Sequence, residues 1–369
     1  MTKEYTSLGL MSGTSMDGID VSIIKSDGNS KYEVILDKYF PYNDEIIEKM
    51  QYIKGKITKS KDLDNFKEEL SSIEKELTLF NAKAAIEAIN KHKGHVQLIG
   101  YHGQTIFHNG DEKITRQLGD GALLSQLTKK KVIYDFRQND LKNGGQGAPL
   151  TPIFHKLIEH KLNIKPTIFV NVGGIINITT IYSDGSLFAT DTGPGMCLVD
   201  QWVKINSNKK YDVDGSLAEL GIINTTILEQ ALENFSAPLY NLESKNKKII
   251  RSFDTSDFNL SFIRGLSLED GAATLIEFTV QTLLLNSNIN KNKKIILCGG
   301  GRKNSFLVER IKKNNIKVEL IDNFGINGDF VESQAFAYIA IRSILGLQIS
   351  FPETTGCTKA SSGGKIVEY

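Results

Sequence analysis

Three glycine-rich stretches in this chain have the residue types to hold phosphates or a nucleoside, and one of them carries a carboxylate. Gly13-Thr14-Ser15-Met16-Asp17-Gly18 brings backbone N–H groups and hydroxyls into a small space, which suits a polyphosphate because bare backbone can approach its oxygens closely. Taken alone, such a loop is better read as an ordinary hairpin connection. Asp191-Thr192-Gly193-Pro194-Gly195 follows an apolar strand, so Asp191 stands beside glycines where it could face a phosphate or act as a base. A turn in which Asp191 accepts local N–H groups is an equal alternative. Gly299-Gly300-Gly301 precedes Asn304 or Ser305 as the cap of a helix running from Phe306 to Lys312. Adjacent glycines put no side chain between the turn and a flat adenine or ribose; a strand-to-helix turn without ligand is the duller alternative.

Other polar residues cluster in the first half. Tyr101-His102-Gly103-Gln104-Thr105 sets an imidazole and an amide at a strand end, although a single histidine is more often structural than catalytic. Phe136-Arg137-Gln138-Asn139-Asp140 adds a fixed cation and a carboxylate, and Gly144 to Pro149, with Gln146 inside it, adds a bare backbone loop. The planar fork of Arg137 suits a substrate carboxylate, with an Arg137/Asp140 salt bridge as the structural rival. His155 and His160 read as surface residues of a helix. The chain has no Gly-x-x-x-x-Gly-Lys-Ser/Thr loop, Gly-x-Gly-x-x-Gly fingerprint, His-Arg-Asp loop, Gly-x-Ser-x-Gly elbow or His-Glu-x-x-His pair. Phosphoryl transfer here requires a different plan.

The elements that must position these residues recur in order. Tyr5 to Met11, then Ile19, Val21 and Ile23, then Tyr32 to Tyr39 after an Asp27-Gly28 turn, read as three strands. Thr167 to Asn171, Ile175 to Ile181 and Leu187 to Thr190, joined by Gly173-Gly174 and Asp184-Gly185, repeat the pattern. Each set is followed by a later strand running into glycine, Val96 to Tyr101 and Lys294 to Cys298. Apolar residues three or four apart predict helices over Lys61 to Asn90, Asp270 to Leu285 and Ser333 to Leu347, and the Lys/Asn-rich runs Asn206 to Lys210 and Ser244 to Lys248 read as exposed loops. The result is an α/β chain of two similar lobes, residues 1–165 and 166–369, with the last helix a candidate to cross back and the cleft between the lobes as the candidate site.

Composition narrows the partners. With 369 residues and 40% hydrophobic content a sizeable core is available, and 44 Lys+Arg against 43 Asp+Glu leaves a net charge of +1 with no basic block. Nucleic acid is therefore not expected as a partner. Cys197, Cys298 and Cys357 are too few and too scattered for a disulfide framework or a zinc site, which fits a reducing compartment, and no segment has the length of apolar residues that spans a bilayer. A cytoplasmic enzyme acting on small molecules is expected.

Gly9-Leu10-Met11-Ser12-Gly13-Thr14-Ser15-Met16-Asp17-Gly18-Ile19-Asp20 closely resembles the opening signature of the anhydro-N-acetylmuramic acid kinases. The match continues through His102 to Thr105, Asp135-Phe136-Arg137, Gly144 to Pro149, Asn171 to Ile175, Asp191 to Gly195, Asp270 to Leu275, and Gly299 to Gly301 with Asn304, so it covers nearly the whole chain. The resemblance implies the fold of the sugar kinase, heat-shock protein and actin superfamily, with two ribonuclease-H-like lobes of duplicated topology. It implies that ATP, accompanied by Mg2+, and water convert 1,6-anhydro-N-acetylmuramic acid to N-acetylmuramic acid 6-phosphate in peptidoglycan recycling, and it is compatible with a homodimer. By position, Gly13, Thr14, Ser15, Met16, Asp17, Gly18, Ile19 and Asp20 would hold phosphates, and Gly173, Gly174, Gly299, Gly300, Gly301 and Asn304 would complete the nucleotide site. Asp191 would be the general base, and His102, Gln104, Arg137, Asp140, Gln146 and Glu332 would meet the sugar.

Two positions depart from the family pattern. Met196 stands where an Asn usually follows Asp-Thr-Gly-Pro-Gly, and Arg251-Ser252 stands where a Lys-Ser pair is usual. A kinase for a related anhydro sugar such as levoglucosan is the alternative within the fold. A nucleotide-binding regulator without catalysis is the alternative outside enzymes, and sugar-dependent ADP release separates the two classes.

Overall fold

A computed structural model describes residues 3–164, 166–243, 250–286, 289 and 294–369, with backbone alone at 237–243 and 286. The Ser244 to Lys248 run lies outside these residues. The chain forms two compact units. One comprises the described residues through Ile164 together with Asp329–Tyr369, and the other runs from residue 166 through Gly328.

The first unit is built on strands β1 (Tyr5–Ser12), β2 (Gly18–Ser26), β3 (Tyr32–Pro41), β4 (Leu98–Asn109), β5 (Ile114–Leu118) and β6 (Lys131–Tyr134). Their order β6-β4-β1-β2-β3 places β1 centrally, antiparallel to β2 and parallel to β4, with β5 folded back onto the distal half of β4. Asp27 makes the β2–β3 hairpin tight: its carboxylate accepts the N–H groups of Asn29, Ser30 and Lys31, each at 2.9 Å, while Gly28 supplies the positive φ. The second unit holds β7 (Thr167–Val172), β8 (Ile175–Ile181), β9 (Leu187–Pro194), β10 (Lys294–Cys298) and β11 (Lys317–Leu320) in the order β11-β10-β7-β8-β9. Here too the first strand is antiparallel to the second and parallel to the fourth. Both sheets thus have the order 3-2-1-4-5 with one reversed strand, the duplicated ribonuclease-H-like topology. Each has its own apolar core, centred on Leu8, Val21 and Ile99 in one and on Val170, Ile178 and Leu297 in the other.

Four expectations from sequence are corrected. The boundary moves: 329–369, whose last helix is the candidate to cross back, groups with the first unit, because the helix Val331–Ile344 packs on β1, β2 and β4, and β12 (Lys365–Val367) pairs antiparallel with β6 at the sheet edge. The strand before His102 does not end there; β4 continues to Asn109, with Gly103 absorbing a positive φ within it. Lys61 to Asn90 is not one helix: Asp62–Asn65 and Lys67–His92 are separated at Phe66, whose ψ of 28° leaves the helical region. His155 is buried, not a surface residue. It lies on the core side of the helix Pro152–Leu162, and burial lowers its pKa to about 3, so it is a neutral packing group. His160 on the same helix is exposed.

Two glycines let the returning helix seat against the sheet. A Cβ on Gly9 would overlap the Ser333 carbonyl, and one on Gly100 would overlap the Phe336 carbonyl. Gly9→Ala and Gly100→Ala are each expected to lower unfolding free energy by about 1–3 kcal/mol or more. Gly55→Ala, in a helix with open space around the site, is expected to be neutral or stabilising. Urea unfolding of the three variants checks this, and equal midpoints would show that the helix does not press on the sheet.

Candidate functional site

The Gly13–Asp17 connection between β1 and β2 is held from below and open above. Met16 is its anchor: with φ 56° its side chain turns down and is buried, while Thr14, Ser15 and Asp17 remain exposed. The Asp17 carbonyl accepts the Tyr42 N–H at 2.9 Å. Gln104 braces the loop from β4, its Nε2 donating to the Gly13 carbonyl at 3.1 Å and its Oε1 accepting the Ser12 hydroxyl at 2.5 Å. Gln104 is 2% exposed, so the structure gives it a loop-holding place rather than an open one. Ile19 is equally buried and serves the core, while the hydroxyls of Thr14 and Ser15 face outward at exposed residues.

Asp20 lies on β2 next to this loop, in register with Met11 and Tyr39. Burial, followed by the negative charges of Glu332, Asp17, Asp329 and Asp37, raises its pKa to about 8. Glu332 and Asp329 reach this place only because the chain returns to the first unit. Beneath them the returning helix is tied to the sheet by a polar network: the Ser22 hydroxyl lies 2.6 Å from both Asp37 Oδ1 and Ser333 Oγ, and Gln334 Nε2 donates to Asp37 Oδ2 at 2.9 Å.

His102, Arg137, Asp140 and Gln146 come together around a second loop of the first unit. Arg137 Nη2 donates to His102 Nε2 at 2.9 Å and Nη1 donates to the Gly147 carbonyl at 2.7 Å. A guanidinium can only donate, so Nε2 is the acceptor and the His102 Nδ1–H meets the Gly103 carbonyl at 2.8 Å. Burial and the Arg137 charge keep the imidazole's pKa well below the ordinary value, so His102 orients Arg137 as a neutral ring. Asp140, 2% exposed, accepts the Gly147 N–H at 2.7 Å and the Thr355 hydroxyl at 2.6 Å, which clamps the 144–149 loop. Gln146 N–H donates to the Thr355 carbonyl at 2.7 Å. Of these four, half-buried Arg137 and Gln146 retain accessible surface.

In the second unit β9 runs through Pro194, so Asp191 lies within a strand rather than in a turn after it. Its partner in register is Asn177. The backbone of residues 251–253 runs along β9: Arg251 N–H meets Thr190 Oγ1 at 2.9 Å, the Asp191 N–H meets the Arg251 carbonyl at 3.1 Å, and the Phe253 N–H meets Asp191 Oδ2 at 2.7 Å. Asp191 is 7% exposed and its carboxylate is oriented by a backbone donor. The main chain of Arg251 and Phe253 thus braces Asp191 and its strand. The other departure is absorbed by packing: Met196 joins the apolar core, near the position a Cβ on Gly301 would take. Gly173 and Gly174 carbonyls accept the N–H groups of Met196 and Gly195, both at 2.8 Å, lacing the two turns together.

The glycine triplet divides by role. Gly299 has φ 79° and a Cβ there would strike Asn171 and Val172, and a Cβ on Gly301 would strike Val172. Gly300 faces open space. Asn304 caps the helix Ser305–Lys312 by accepting the Leu307 N–H at 2.9 Å. Sequence reasoning passed over Arg302 and Asp322, which sit directly on this turn; the Arg within Gly-Gly-Gly-Arg-Lys-Asn was the available signal.

A family model described as "Anhydro-N-acetylmuramic acid kinase" matches residues 5–369. The anhydro-N-acetylmuramic acid kinase of Pelagibacter ubique (strain HTCC1062) is 50% identical, with all of both chains covered, and that of Agrobacterium fabrum (strain C58) is 37% identical over the same full coverage. Among solved structures, an activator of 2-hydroxyisocaproyl-CoA dehydratase from Clostridium difficile with bound ADPNP aligns at TM-score 0.42 and 10% identity, covering 91% of this chain and 94% of that one. A ROK family glucokinase from Streptomyces griseus, solved with glucose and AMPPNP, aligns at TM-score 0.39 and 10% identity, covering 91% and 99%.

Two outcomes are expected. Gly300→Val should keep a near-normal melting temperature, since a Cβ there meets no heavy atom within 4 Å, and should weaken ATP about tenfold or more if the turn bears the nucleoside. Thermal melts with and without ATP check this. Second, because the folded pKa of Asp20 lies above its unfolded value, its contribution to stability is present in full below about pH 4 and is lost as pH rises through about 8. The unliganded protein should lose melting temperature between pH 5 and 8, and Asp20→Asn should flatten that slope.

Proposed function

The chain belongs to the anhydro-N-acetylmuramic acid kinase family, and on that premise we propose how its residues carry the reaction. The enzyme uses ATP and water to convert 1,6-anhydro-N-acetylmuramic acid to N-acetylmuramic acid 6-phosphate and ADP, a step of cell-wall recycling. An intramolecular 1,6 bridge leaves no hydroxyl on the sixth carbon. Phosphorylation there requires water to add to the first carbon while the C1–O bond breaks, the freed bridge oxygen to form the new O–P bond, and ADP to depart. The water's proton needs an acceptor. Asp191 takes that proton, and the observation supporting it is a nearly buried carboxylate oriented by the Phe253 N–H.

The remaining residues bind and orient. Exposed backbone and hydroxyls of residues 13–17 receive phosphate oxygens, and Gly300 lies against the nucleoside. Arg137, held by neutral His102 and the Gly147 carbonyl, offers its half-exposed edge to the sugar's lactyl carboxylate. Glu332 contacts the sugar from the start of the returning helix. Among the described residues no group of three or more His, Cys, Asp or Glu side chains is disposed to hold a metal ion. Mg2+ bound with the nucleotide would supply charge neutralisation on the transferring phosphoryl group. The helices of the described residues include none long and apolar enough to cross a membrane.

Asp191→Asn preserves an oxygen acceptor for Phe253 and removes the base, so kcat should fall by roughly 100- to 10,000-fold with ATP binding retained. Near-normal turnover would exclude Asp191 as the base. In heavy-oxygen water, product quenched before anomeric exchange should carry label on the first carbon and none in the phosphate. An intact anhydro bridge in the product would instead indicate direct phosphorylation of an existing hydroxyl.

A further inference from the structure

Arg302 is 5% exposed although it lies two residues after exposed Gly300. A guanidinium is buried at that cost only when its donors are matched. Here Nε donates to Asp322 Oδ2 at 2.6 Å, Nη2 to Asp322 Oδ1 at 2.8 Å, and Nη1 to the Gly299 carbonyl at 3.0 Å. The ion pair holds the Asp322 carboxyl below the usual range. Gly328 completes the arrangement: its carbonyl accepts the Gly299 N–H at 3.2 Å, its own N–H points to Asp322 Oδ1 at 3.4 Å, and a Cβ there would overlap the Arg302 guanidinium. Both polar groups of Gly299 are thus fixed, the carbonyl by Arg302 and the N–H by Gly328, while its φ of 79° sets the direction in which Gly300 faces open space.

We propose that the Arg302–Asp322 pair is a positioning device for ATP: it sets the conformation of the Gly299–Gly301 turn against which the nucleoside rests. This assignment rests on the nucleotide role of that turn given above. These hydrogen bonds join both side chains to the turn and to Gly328, so the effect falls on nucleotide affinity. A bidentate fork is required, because a lysine ammonium supplies charge but cannot hold both carboxylate oxygens and the Gly299 carbonyl in one plane.

The test uses the full chain with steady-state kinetics and direct ATP titration. Arg302→Lys and Asp322→Asn should each raise the KM for ATP and its dissociation constant about tenfold, with kcat at saturating ATP and the KM for the anhydro sugar within about twofold of the parent. The double variant should be no weaker for ATP than the worse single variant, because both substitutions break the same pair. Asp322 is 40% exposed at its side chain, so Asp322→Asn remains interpretable if Arg302→Lys folds poorly. An unchanged ATP constant in Asp322→Asn, or equal losses for ATP, sugar and kcat, overturns the proposal. If Gly300→Val also leaves ATP binding intact, the nucleotide role of the turn fails; if Gly300→Val weakens ATP while the pair variants do not, only the positioning role fails.

Discussion

The first unit depends on one close approach, that of the backbone of the Val331–Ile344 helix to β1 and β4 at Gly9 and Gly100. Side chains at either position would push the helix away from the central strand. Because the approach is close, Glu332 and Asp329 lie near enough to Asp20 to raise its pKa, Phe336 stacks on His102 with ring centroids 4.5 Å apart, and Ser333 and Gln334 join the Asp37 network. A helix from the end of the chain therefore sets the electrostatics of a motif near its beginning. The same segment that supplies packing also supplies the sugar-contacting carboxylate in the proposed mechanism.

The two sheets have the same strand order, and in each the loops of chemical interest lie at one end. In the first unit this end carries the loop after β1 and the start of β2; in the second it carries the turn after β7, the distal part of β9 and the triplet after β10. Carboxyl ends of parallel-paired central strands are a common place for ligands because the backbone there opens outward without obligatory sheet partners. The duplication has not preserved the chemistry. Asp20 is on the second strand of its sheet and is surrounded by like charges, whereas Asp191 is on the third strand of its sheet and is met by a backbone N–H. Two acidic groups at comparable ends of related sheets are thus suited to different work.

Within each unit, many of the polar residues hold other residues. Gln104 and Met16 shape the 13–17 loop, neutral His102 orients Arg137, Asp140 clamps the 144–149 loop, and Arg302 with Asp322 fixes Gly299. Gln104, His102, Asp140 and Arg302 are buried, where a hydrogen bond in low dielectric is stiff and its loss is costly. The exposed groups that remain, such as Thr14, Ser15 and Gly300, are small or lack a side chain.

The sequence alone determined the repeated strand order, because alternating apolar residues and Asp-Gly or Gly-Gly turns are local signals, and Ile175–Ile181 and Lys294–Cys298 begin and end as their patterns predict. It also determined the family, since the motif beginning at Gly9 is a contiguous run. Tertiary structure decided what depends on residues far apart in the chain. The return of 329–369 to the first unit, the burial of His155, the continuation of β4 through His102 and β9 through Asp191, and the pairing of Arg302 with Asp322 all arise from strand pairing and helix docking between distant segments. No window of sequence contains both partners of such a contact, so their types could be read while their roles could not.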